Sequence, residues 1–279
     1  MRSLGGSPTD MDDRTSGASG ETAGAAAQVP QVSISVVSHG QGSLVDALLR
    51  DLSACARTAV EVLLTVNIPE TLPFAPERAG LPVRVQINAE PRGFGANHNA
   101  AFARSRGRHF CVINPDIRLE ADPFPSLLAC LQEPGAGVAA PLIRNPAGEI
   151  EDSARRFPTP WTILKKALRA SPEVEYLVSG AQPVHPDWVA GMFMLFPRDV
   201  FAEIGGFDER YFLYYEDVDL CARLVGRGRH AVLCPAAEAV HEARRQSRRS
   251  LRYMRWHLAS MLRFFVSARA GESVPRRAK

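Results

Sequence analysis

Short stretches rich in Val and Ile alternate with helical patterns through the first half of the chain. Five stretches are typical of strands: 32–37, 60–66, 83–87, 110–113 and 138–141. Helical spacing of apolar residues lies between them, at Leu44–Leu52, 96–104 and 124–131. This alternation predicts an α/β fold with a mostly parallel central sheet flanked by helices. Ligands of such sheets bind beyond the carboxyl ends of the strands, so the loops after Val37, Val66, Ile87 and Ile113 are expected to line the site.

Composition divides the chain into three regions. Residues 1–29 are rich in Gly, Ala, Ser and Thr and have almost no large apolar side chains, which predicts a disordered N-terminal tail. We expect one folded domain over 30–245, followed by a basic C-terminal helix and tail over 246–279. The sequence contains no run of 18 apolar residues, so we expect no segment to span a membrane. The five cysteines form no CxxC pair, so we expect reduced thiols and a cytoplasmic protein.

The C-terminal region carries most of the positive charge. Residues 242–279 hold 11 Lys and Arg against 2 Asp and Glu, a net +9, whereas the rest of the chain is at −6. Between 247 and 266, apolar residues recur at helical spacing among arginines: Leu251, Met254, Leu258, Met261, Leu262 and Phe265. This pattern predicts a basic amphipathic helix at the surface of a membrane. Packing of the stripe on the protein body, or a homodimer contact, is the alternative.

A nucleic-acid partner for this basic region is a third hypothesis, since clustered arginines bind phosphates. No ribonucleoprotein motif or helix-turn-helix accompanies the charge, so we expect no nucleic acid to bind.

Two polar motifs follow predicted strands. Asn114-Pro115-Asp116 comes directly after the strand 110–113, where a carboxylate would point into the ligand crevice. Such a carboxylate suits Mg²⁺ or Mn²⁺, although the same residues also form good turns. The Gly-rich segment 90–100 follows the strand 83–87, and its backbone amides could approach a phosphate or sugar. The alternative is an ordinary helix entry.

Two further motifs lie in the second half. Glu216, Asp217 and Asp219 begin a predicted helix after an apolar, aromatic segment. They either favour the helix dipole or supply a general base whose proton affinity is raised by burial. His241 is followed by arginines, and here Arg245 and Ser247 are candidates for holding a diphosphate. A structural histidine beside a solvated basic face is the alternative.

Together, and in this order, these motifs resemble the family-2 glycosyltransferases of the rhamnosyltransferase-like kind. The resemblance covers about residues 32–245 and rests on five segments: 36–40, 93–99, 113–116, 190–193 and 206–220. It implies a GT-A (nucleotide-diphospho-sugar transferase) fold, with 30–245 as the catalytic domain. It also implies a metal-dependent, inverting transfer of a sugar, first of all rhamnose, from a dTDP- or UDP-sugar. The acceptor would be a glycan or lipid-linked glycan hydroxyl in polysaccharide biosynthesis, at the inner face of the membrane.

The resemblance also implies roles for individual residues. Asp217 would be the catalytic base, and Asp116 and His241 would hold Mg²⁺ or Mn²⁺. Donor contacts would come from Ser38, His39, Asn67, Gly93, Asn97, Asn114 and Asp116. Acceptor contacts would come from Trp188, Gly191, Glu216 and Asp217.

Two positions depart from the family's pattern. Asn114 replaces the first Asp of its Asp-x-Asp motif, and Asn67 replaces an acidic residue after the second strand. A non-catalytic, glycan-binding relative is therefore an alternative to the enzyme.

Overall fold

The computed structural model describes residues 29–163, 180, 182–242 and 251–269. The predicted N-terminal tail up to residue 28, and both candidate diphosphate ligands, Arg245 and Ser247, lie outside these ranges.

Ten strands make up the sheets of the described fold: β1 Val32–Ser38, β2 Val60–Val66, β3 Val83–Ile87, β4 His109–Ile113, β5 Ile117–Arg118, β6 Ala136–Arg144, β7 Ala154–Arg155, β8 Trp188–Val189, β9 Phe193–Pro197 and β10 His230–His241. Eight of them form a central sheet in the order β3-β2-β1-β4-β9-β6-β10-β5, and β7 and β8 form a separate pair. The helices are α1 Gly42–Cys55, α2 Phe94–Arg104, α3 Phe124–Cys130, α4 Arg198–Glu203, α5 Glu216–Gly226 and α6 Leu251–Arg269.

The predicted strand–helix alternation is confirmed, and most of the sheet is parallel. β1 pairs in parallel with β2 and β4, β2 with β3, and β6 with β10, whereas β9 and β5 run antiparallel to their neighbours. Both faces of the sheet are covered by apolar clusters. One contains Val32, Ile34 and Val36 of β1, and the other contains Phe110 and Val112 of β4. Burial on both faces explains why β4 is an apolar run from Phe110 to Ile113 without alternation, whereas β1 buries serines between its apolar residues.

The sequence pattern between 188 and 196 suggests one continuous strand, and that expectation is wrong. The structure breaks it into β8, which pairs with β7, and β9, which joins the main sheet. The break falls at Gly191, whose backbone N–H donates to the side chain of Asp217, 3.0 Å away, instead of to a neighbouring strand. A side-chain contact therefore ends the strand at a position where the sequence pattern predicts no break.

The C-terminal helix α6 is confirmed, but its main packing residues lie outside the predicted apolar stripe, from which Phe265 is partly buried against the core. Trp256 stacks on Phe212, the Ser260 hydroxyl donates to the Leu213 carbonyl over 2.9 Å, and Phe264 is buried. Met254, Leu258 and Leu262 of the stripe remain exposed. The interpretation that this stripe packs on the body is therefore wrong for these three residues. No helix in the described part of the chain combines the length and apolar content needed to cross a bilayer.

A buried polar network closes the amino-terminal edge of the sheet. The Glu61 carboxylate accepts hydrogen bonds from the Ser33 hydroxyl at 2.6 Å, the Arg106 backbone N–H at 2.7 Å and the Arg84 guanidinium at 2.8 Å. These bonds join β1, β2 and β3 to the turn that leads into β4. The three donors are divided between the two carboxylate oxygens, so both oxygens must be hydrogen-bond acceptors.

We expect Glu61→Gln to lower the free energy of unfolding by about 1–3 kcal/mol, because an amide NH₂ would face existing donors. Urea denaturation measures the change as a lower midpoint. The matched control is Glu77→Gln, at an exposed position in the short 3₁₀ turn Pro76–Arg78, which should unfold like the parent. Equal midpoints for the two variants would contradict the assigned role of Glu61.

Candidate active site

The candidate site lies at the edge where the carboxyl ends of the parallel strands meet. β1 to β4, β6 and β10 all run in one direction, because β9 is antiparallel to both β4 and β6. Ser38, Asn67, Asn114 and His241 therefore come to the same edge, although they are far apart in the sequence. This matches the expected location of a ligand crevice in an open α/β sheet.

Asp116 and His241 are brought together by the pairing of β5 with β10. His241 lies opposite Ile117 in that antiparallel register, and the Glu242 backbone N–H donates to the Asp116 carbonyl at 2.8 Å. His241 Nε2 lies 3.3 Å from Asp116 Oδ2, and His241 Nδ1 lies 2.7 Å from Glu151 Oε2. The imidazole thus sits between two carboxylates.

Two carboxylates around one imidazole favour positive charge at this point. Burial disfavours the imidazolium form of His241, but the hydrogen bonds that the ring donates to Asp116 and Glu151 outweigh burial and raise the pKa to about 9, so a metal ion that binds Nε2 would have to displace its proton. Among the residues the structure describes, none offers a hydrogen bond to Asp116 Oδ1, although that atom is buried. An unpartnered buried carboxylate oxygen usually has a ligand or an ion to satisfy it.

The same donor set fits a divalent metal ion. Asp116 offers an oxygen, and His241 offers Nε2 because its Nδ1 is held by Glu151. A carboxylate behind a ligating histidine fixes the ring orientation, as is common at metal centres. With only two protein ligands, Mg²⁺ or Mn²⁺ would take the rest of its shell from phosphates and water.

The acid pair Glu216–Asp217 begins helix α5, and Asp217 reaches the segment between β8 and β9. Asp217 Oδ2 accepts the Gly191 N–H at 3.0 Å, and Asp217 Oδ1 accepts the Val218 N–H at 2.8 Å. Burial raises the pKa of Asp217, while these hydrogen bonds oppose the shift. Burial also raises the pKa of Glu216, and the neighbouring charge of Asp217 adds to it. A carboxylate with raised proton affinity is a better general base near neutral pH.

Two consecutive aromatic residues hold the acid pair in a strained turn. Tyr214 and Tyr215 both have positive φ, at 71° and 67°, directly before Glu216. Left-handed backbone at non-glycine residues costs energy and occurs at functional sites where the surroundings enforce it. Tyr215 packs against Phe264 of α6 with a ring-centroid separation of 5.7 Å, so the C-terminal helix supports this turn.

Asp219, the third carboxylate of the motif, has a separate structural role. It is buried and pairs with Arg223 Nε at 2.8 Å. The same guanidinium donates to the carbonyls of Ile204 and Gly206, which fixes the Gly-Gly turn before the aromatic segment. Of the three clustered carboxylates, Asp217 therefore contacts Gly191, whereas Asp219 holds the loop.

The loop expected to contact the donor is held by three asparagines. Asn67 Oδ1 accepts from the Arg92 N–H at 2.8 Å and from Asn88 Nδ2 at 2.9 Å, and Asn88 Nδ2 also donates to Asn97 Oδ1 at 2.7 Å. Asn67 Nδ2 lies 3.3 Å from the ring of His39, which is exposed. Asn67 and Asn97 are both buried, so their amides hold the loop through its inner side. Their contact with a donor stays a prediction.

Ser38 and Asn114 contribute to the edge mainly through their positions. The Ser38 hydroxyl accepts the Gln41 N–H at 3.1 Å and thereby shapes the turn after β1. The Asn114 N–H donates to the Met192 carbonyl at 2.9 Å, which joins the end of β4 to the segment beside Gly191.

Gly93 is needed because another chain segment crosses it closely. A Cβ at this position would lie 2.8 Å from the Phe212 carbonyl oxygen, and the next N–H, of Phe94, donates to that same oxygen at 2.9 Å. The Asn99 side chain also exchanges two hydrogen bonds with the backbone of Phe207. The glycine-rich motif and the aromatic motif therefore form one interlocked unit.

Trp188 is buried, and its surroundings are occupied. Its indole N–H donates to the Arg156 carbonyl at 3.0 Å, and the Arg155 guanidinium lies over its ring, 5.2 Å from the centroid. These contacts favour a structural role for Trp188 in the core. Its contact with an acceptor stays a prediction.

Sequence reasoning missed three residues that shape the site. Glu151 orients His241, Asn88 joins Asn67 to Asn97, and Arg155 is close enough to Asp217 to stabilise its negative charge. Asn88 follows directly after β3 at the site edge, which is a signal that could have identified it. Glu151 and Arg155 lie in an irregular segment with no motif, so only the fold reveals them.

One path of hydrogen bonds and chain neighbours links the candidate base to the candidate metal ligands. Asp217 binds the Gly191 N–H, Met192 beside it binds Asn114, and Asp116, two residues further on, contacts His241. The base candidate and the metal-ligand candidates are therefore neighbours on one edge.

Comparison with known proteins shows which family the chain resembles. A model of the family described as glycosyltransferase like family 2 matches residues 30–259. An N-acetylglucosaminyl-diphospho-decaprenol L-rhamnosyltransferase of Mycobacterium tuberculosis is 31% identical over 235 residues, which cover 74% of each protein. The rhamnosyltransferase WbbL of Escherichia coli strain K12 is 28% identical over 256 residues, covering 85% of this chain and 94% of the relative.

Solved structures share the fold at much lower identity. GalNAc-T7 with UDP, GalNAc and Mn²⁺ superposes with a TM-score of 0.62 at 16% identity, covering 78% of this chain and 44% of that one. The mannosyltransferase PcManGT of Pyrobaculum calidifontis, in complex with GDP-Man and Mn²⁺, gives a TM-score of 0.58 at 17% identity, covering 85% of this chain and 65% of that one. The expected GT-A fold is thereby confirmed.

We expect Gly93→Ala to destabilise the protein by about 1–3 kcal/mol, because the added methyl group would press on the Phe212 backbone. Thermal unfolding should show a melting temperature lower by several degrees. Gly226→Ala at the end of α5 is the matched control, since a Cβ there meets no atom within 4 Å. If both alanine variants melt at the same temperature as the parent, the close approach at Gly93 is not a constraint.

Proposed function

The chain belongs to glycosyltransferase-like family 2, and from this premise we propose that it is an inverting, metal-dependent rhamnosyltransferase. The donor we propose is a nucleoside-diphosphate sugar, dTDP-rhamnose first and a UDP-hexose second. The acceptor is a hydroxyl of a glycan or lipid-linked glycan. The names of the relatives from M. tuberculosis and E. coli support the choice of rhamnose, and the name of the first supports a lipid-linked acceptor.

The observation that carries this proposal is the contact path from Asp217 through Gly191 and Asn114 to Asp116 and His241. Sugar transfer from a nucleotide needs a base for the acceptor and positive charge for the leaving diphosphate. The path provides candidates for both functions at one edge. A glycan-binding protein without activity would have no need of a buried base beside a metal-ligand pair.

Asp217 acts as the base. Its carboxylate takes the proton of the acceptor hydroxyl as that oxygen attacks the anomeric carbon of the donor. The bond from that carbon to the nucleoside diphosphate breaks at the same time, which inverts the anomeric centre. The Gly191 and Val218 N–H groups hold the carboxylate in place, and burial keeps its proton affinity high.

Asp116 and His241 would hold the cation, with Glu151 orienting the histidine. When bound, Mg²⁺ or Mn²⁺ supplies the positive charge that offsets the growing negative charge of the diphosphate. Asn114 leaves the motif with one carboxylate instead of two, so we expect Asp116 to provide most of the protein's oxygen ligation. The three loops that carry His39, Asn67 and Gly93 would receive the nucleotide. Arg245 and Ser247 would contact its diphosphate.

The exposed stripe of α6 would place this site at a lipid surface. Met254, Leu258, Leu262 and Val266 recur every four residues and are 55%, 47%, 63% and 68% exposed. Arg252 and Arg255 lie exposed beside them. An apolar stripe edged by arginines matches the interface of an anionic membrane. Because the opposite face of α6 packs on Tyr215, next to the acid pair, such docking would bring the acceptor site close to lipid-linked substrates.

We expect variants of the two centres to separate nucleotide binding from transfer. Asp116→Ala and His241→Ala should each weaken Mn²⁺-dependent binding of dTDP, measured by calorimetry. Asp217→Asn should bind dTDP and Mn²⁺ normally but lose about 10²–10⁴-fold in transfer or donor hydrolysis. The matched control is Asp199→Asn, at an exposed position on α4, which should resemble the parent in both assays.

Each outcome of this set has a separate meaning. Normal turnover by Asp217→Asn would refute the base assignment. Unchanged Mn²⁺ dependence in both Asp116→Ala and His241→Ala would refute the metal site. If the parent hydrolyses none of the dTDP- and UDP-sugars in a donor panel, the protein is better explained as a non-catalytic, glycan-binding relative.

We expect the double variant Leu258→Ser/Leu262→Ser to bind anionic phosphatidylglycerol vesicles at least about tenfold less tightly, since each buried leucine contributes about 1.5–3 kcal/mol. Co-sedimentation of the full chain measures this, and high salt should weaken binding by the parent. Ile87→Ser removes an equally exposed apolar side chain from β3 and serves as the control. If the double variant instead converts a lipid-free dimer to a monomer, a second copy covers the stripe and the membrane proposal fails.

A further inference from the structure

A second group of metal-ligand side chains lies at the opposite edge of the sheet from the active site. It consists of Glu133 after α3, His185 before β8 and His230 at the start of β10. His230 and His241 are the first and last residues of β10, so they are roughly 30 Å apart along an extended strand. The group therefore does not belong to the site described above.

The three side chains already converge on one point. His185 Nε2 lies 2.8 Å from Glu133 Oε2, and His230 Nε2 lies 4.0 Å from the same oxygen. One ligand atom from each residue lies within 4.8 Å of the other two. The two imidazole rings meet edge to face, with centroids 5.0 Å apart. Each ring presents its Nε2 to the carboxylate.

Backbone hydrogen bonds hold these residues in place independently of any ion. The His230 N–H donates to the Gly135 carbonyl at 2.9 Å, and the Ala136 N–H donates to the Glu133 carbonyl at 3.0 Å. Val184, next to His185, exchanges two hydrogen bonds with Leu233 of β10, at 2.9 and 2.8 Å. Three segments that are distant in sequence are thus fixed around one point by the sheet itself.

The approach of the chain at Gly135 also shapes the group. Gly135 has a φ of +84°, and a Cβ there would lie 3.3 Å from His230 Nδ1. The close backbone packs against the Nδ1 side of the ring, while Nε2 faces Glu133. The ring is therefore oriented with one nitrogen toward the carboxylate.

We propose that Glu133, His185 and His230 form a second metal site that binds a divalent transition-metal ion, with Zn²⁺ as its best match and water as the fourth ligand. Two imidazoles and one carboxylate are a ligand set of Zn²⁺, whereas Mg²⁺ prefers oxygen alone. Ligand atoms around tetrahedral Zn²⁺ lie roughly 3.3 Å apart, given metal–ligand distances of about 2.0–2.1 Å. The two imidazole nitrogens lie 2.8 and 4.0 Å from Glu133 Oε2, on either side of that value, and the three ligand atoms lie within 4.8 Å of one another, so side-chain rotation would close the site.

Such an ion would tie three separate parts of the fold together. It would connect the turn before β6, the segment before β8 and the start of β10. His185 is three residues before β8, and β8 leads directly to Gly191 beside the base. Binding an ion only in the folded state stabilises that state, so the site would act as a structural clip.

The test uses the full chain carrying Asp116→Ala, which removes a ligand from the active-site cation. The protein is stripped of metal with a chelator, and Zn²⁺ is titrated in competition with a chromophoric indicator. We expect one Zn²⁺ per chain and a rise in melting temperature on adding Zn²⁺, with no comparable effect of Mg²⁺. Adding His230→Gln or His185→Gln should weaken Zn²⁺ binding at least about tenfold and abolish the thermal shift.

His109→Gln is the matched control, because His109 begins β4 at the same edge of the sheet and lies outside the proposed site. It should bind Zn²⁺ as tightly as the Asp116→Ala parent. His185 is exposed, so its variant is expected to fold even if His230→Gln does not. Zn²⁺ binding by His185→Gln equal to that of the control, or no Zn²⁺ binding by the Asp116→Ala protein, would overturn the proposal. Neither result depends on transfer activity.

Discussion

The antiparallel pairing of β9 with β4 is the constraint on which the active site depends. Ile113 lies opposite Phe193 in that register, so the residues after β4 lie beside those before β9. Asn114 and Met192 are then hydrogen-bonded, and Gly191 is left free to donate to Asp217. A single strand inserted against the direction of the parallel sheet thus joins the metal-ligand motif to the acid pair.

Rigid support surrounds this junction on the side of the glycine-rich loop. The asparagine network fixes the loop from below, and Asn99 and Gly93 lock helix α2 onto the aromatic segment at Phe207 and Phe212. Against that frame, Tyr214 and Tyr215 keep positive φ angles immediately before the acid pair. Strain of this kind persists only where neighbouring packing enforces it. The interlocking of the two motifs, together with helix α6, provides that packing.

Much of this architecture follows from the sequence for clear physical reasons. Strand positions were predictable because β-branched residues favour extended backbone, and 60–66 and 83–87 match β2 and β3 to the residue. The resemblance predicts that Asp116, Asp217 and His241 converge on one site. The structure places Asp116 beside His241 and hydrogen-bonds Asp217 to Gly191, and the convergence of all three on one ligand stays a prediction. The helix at 251–269 was visible from its spacing, but spacing could not tell which face would meet the body.

The sequence by itself determined the fold class and the candidate residues of the site, because these depend on local periodicity and motif order. Only the tertiary structure decided the division of 188–196 into two strands, the structural role of Asp219, and the presence of Glu151 behind His241. These features depend on contacts between residues distant in sequence. Such contacts are set by strand register and side-chain packing, which leave no periodic signal in the chain.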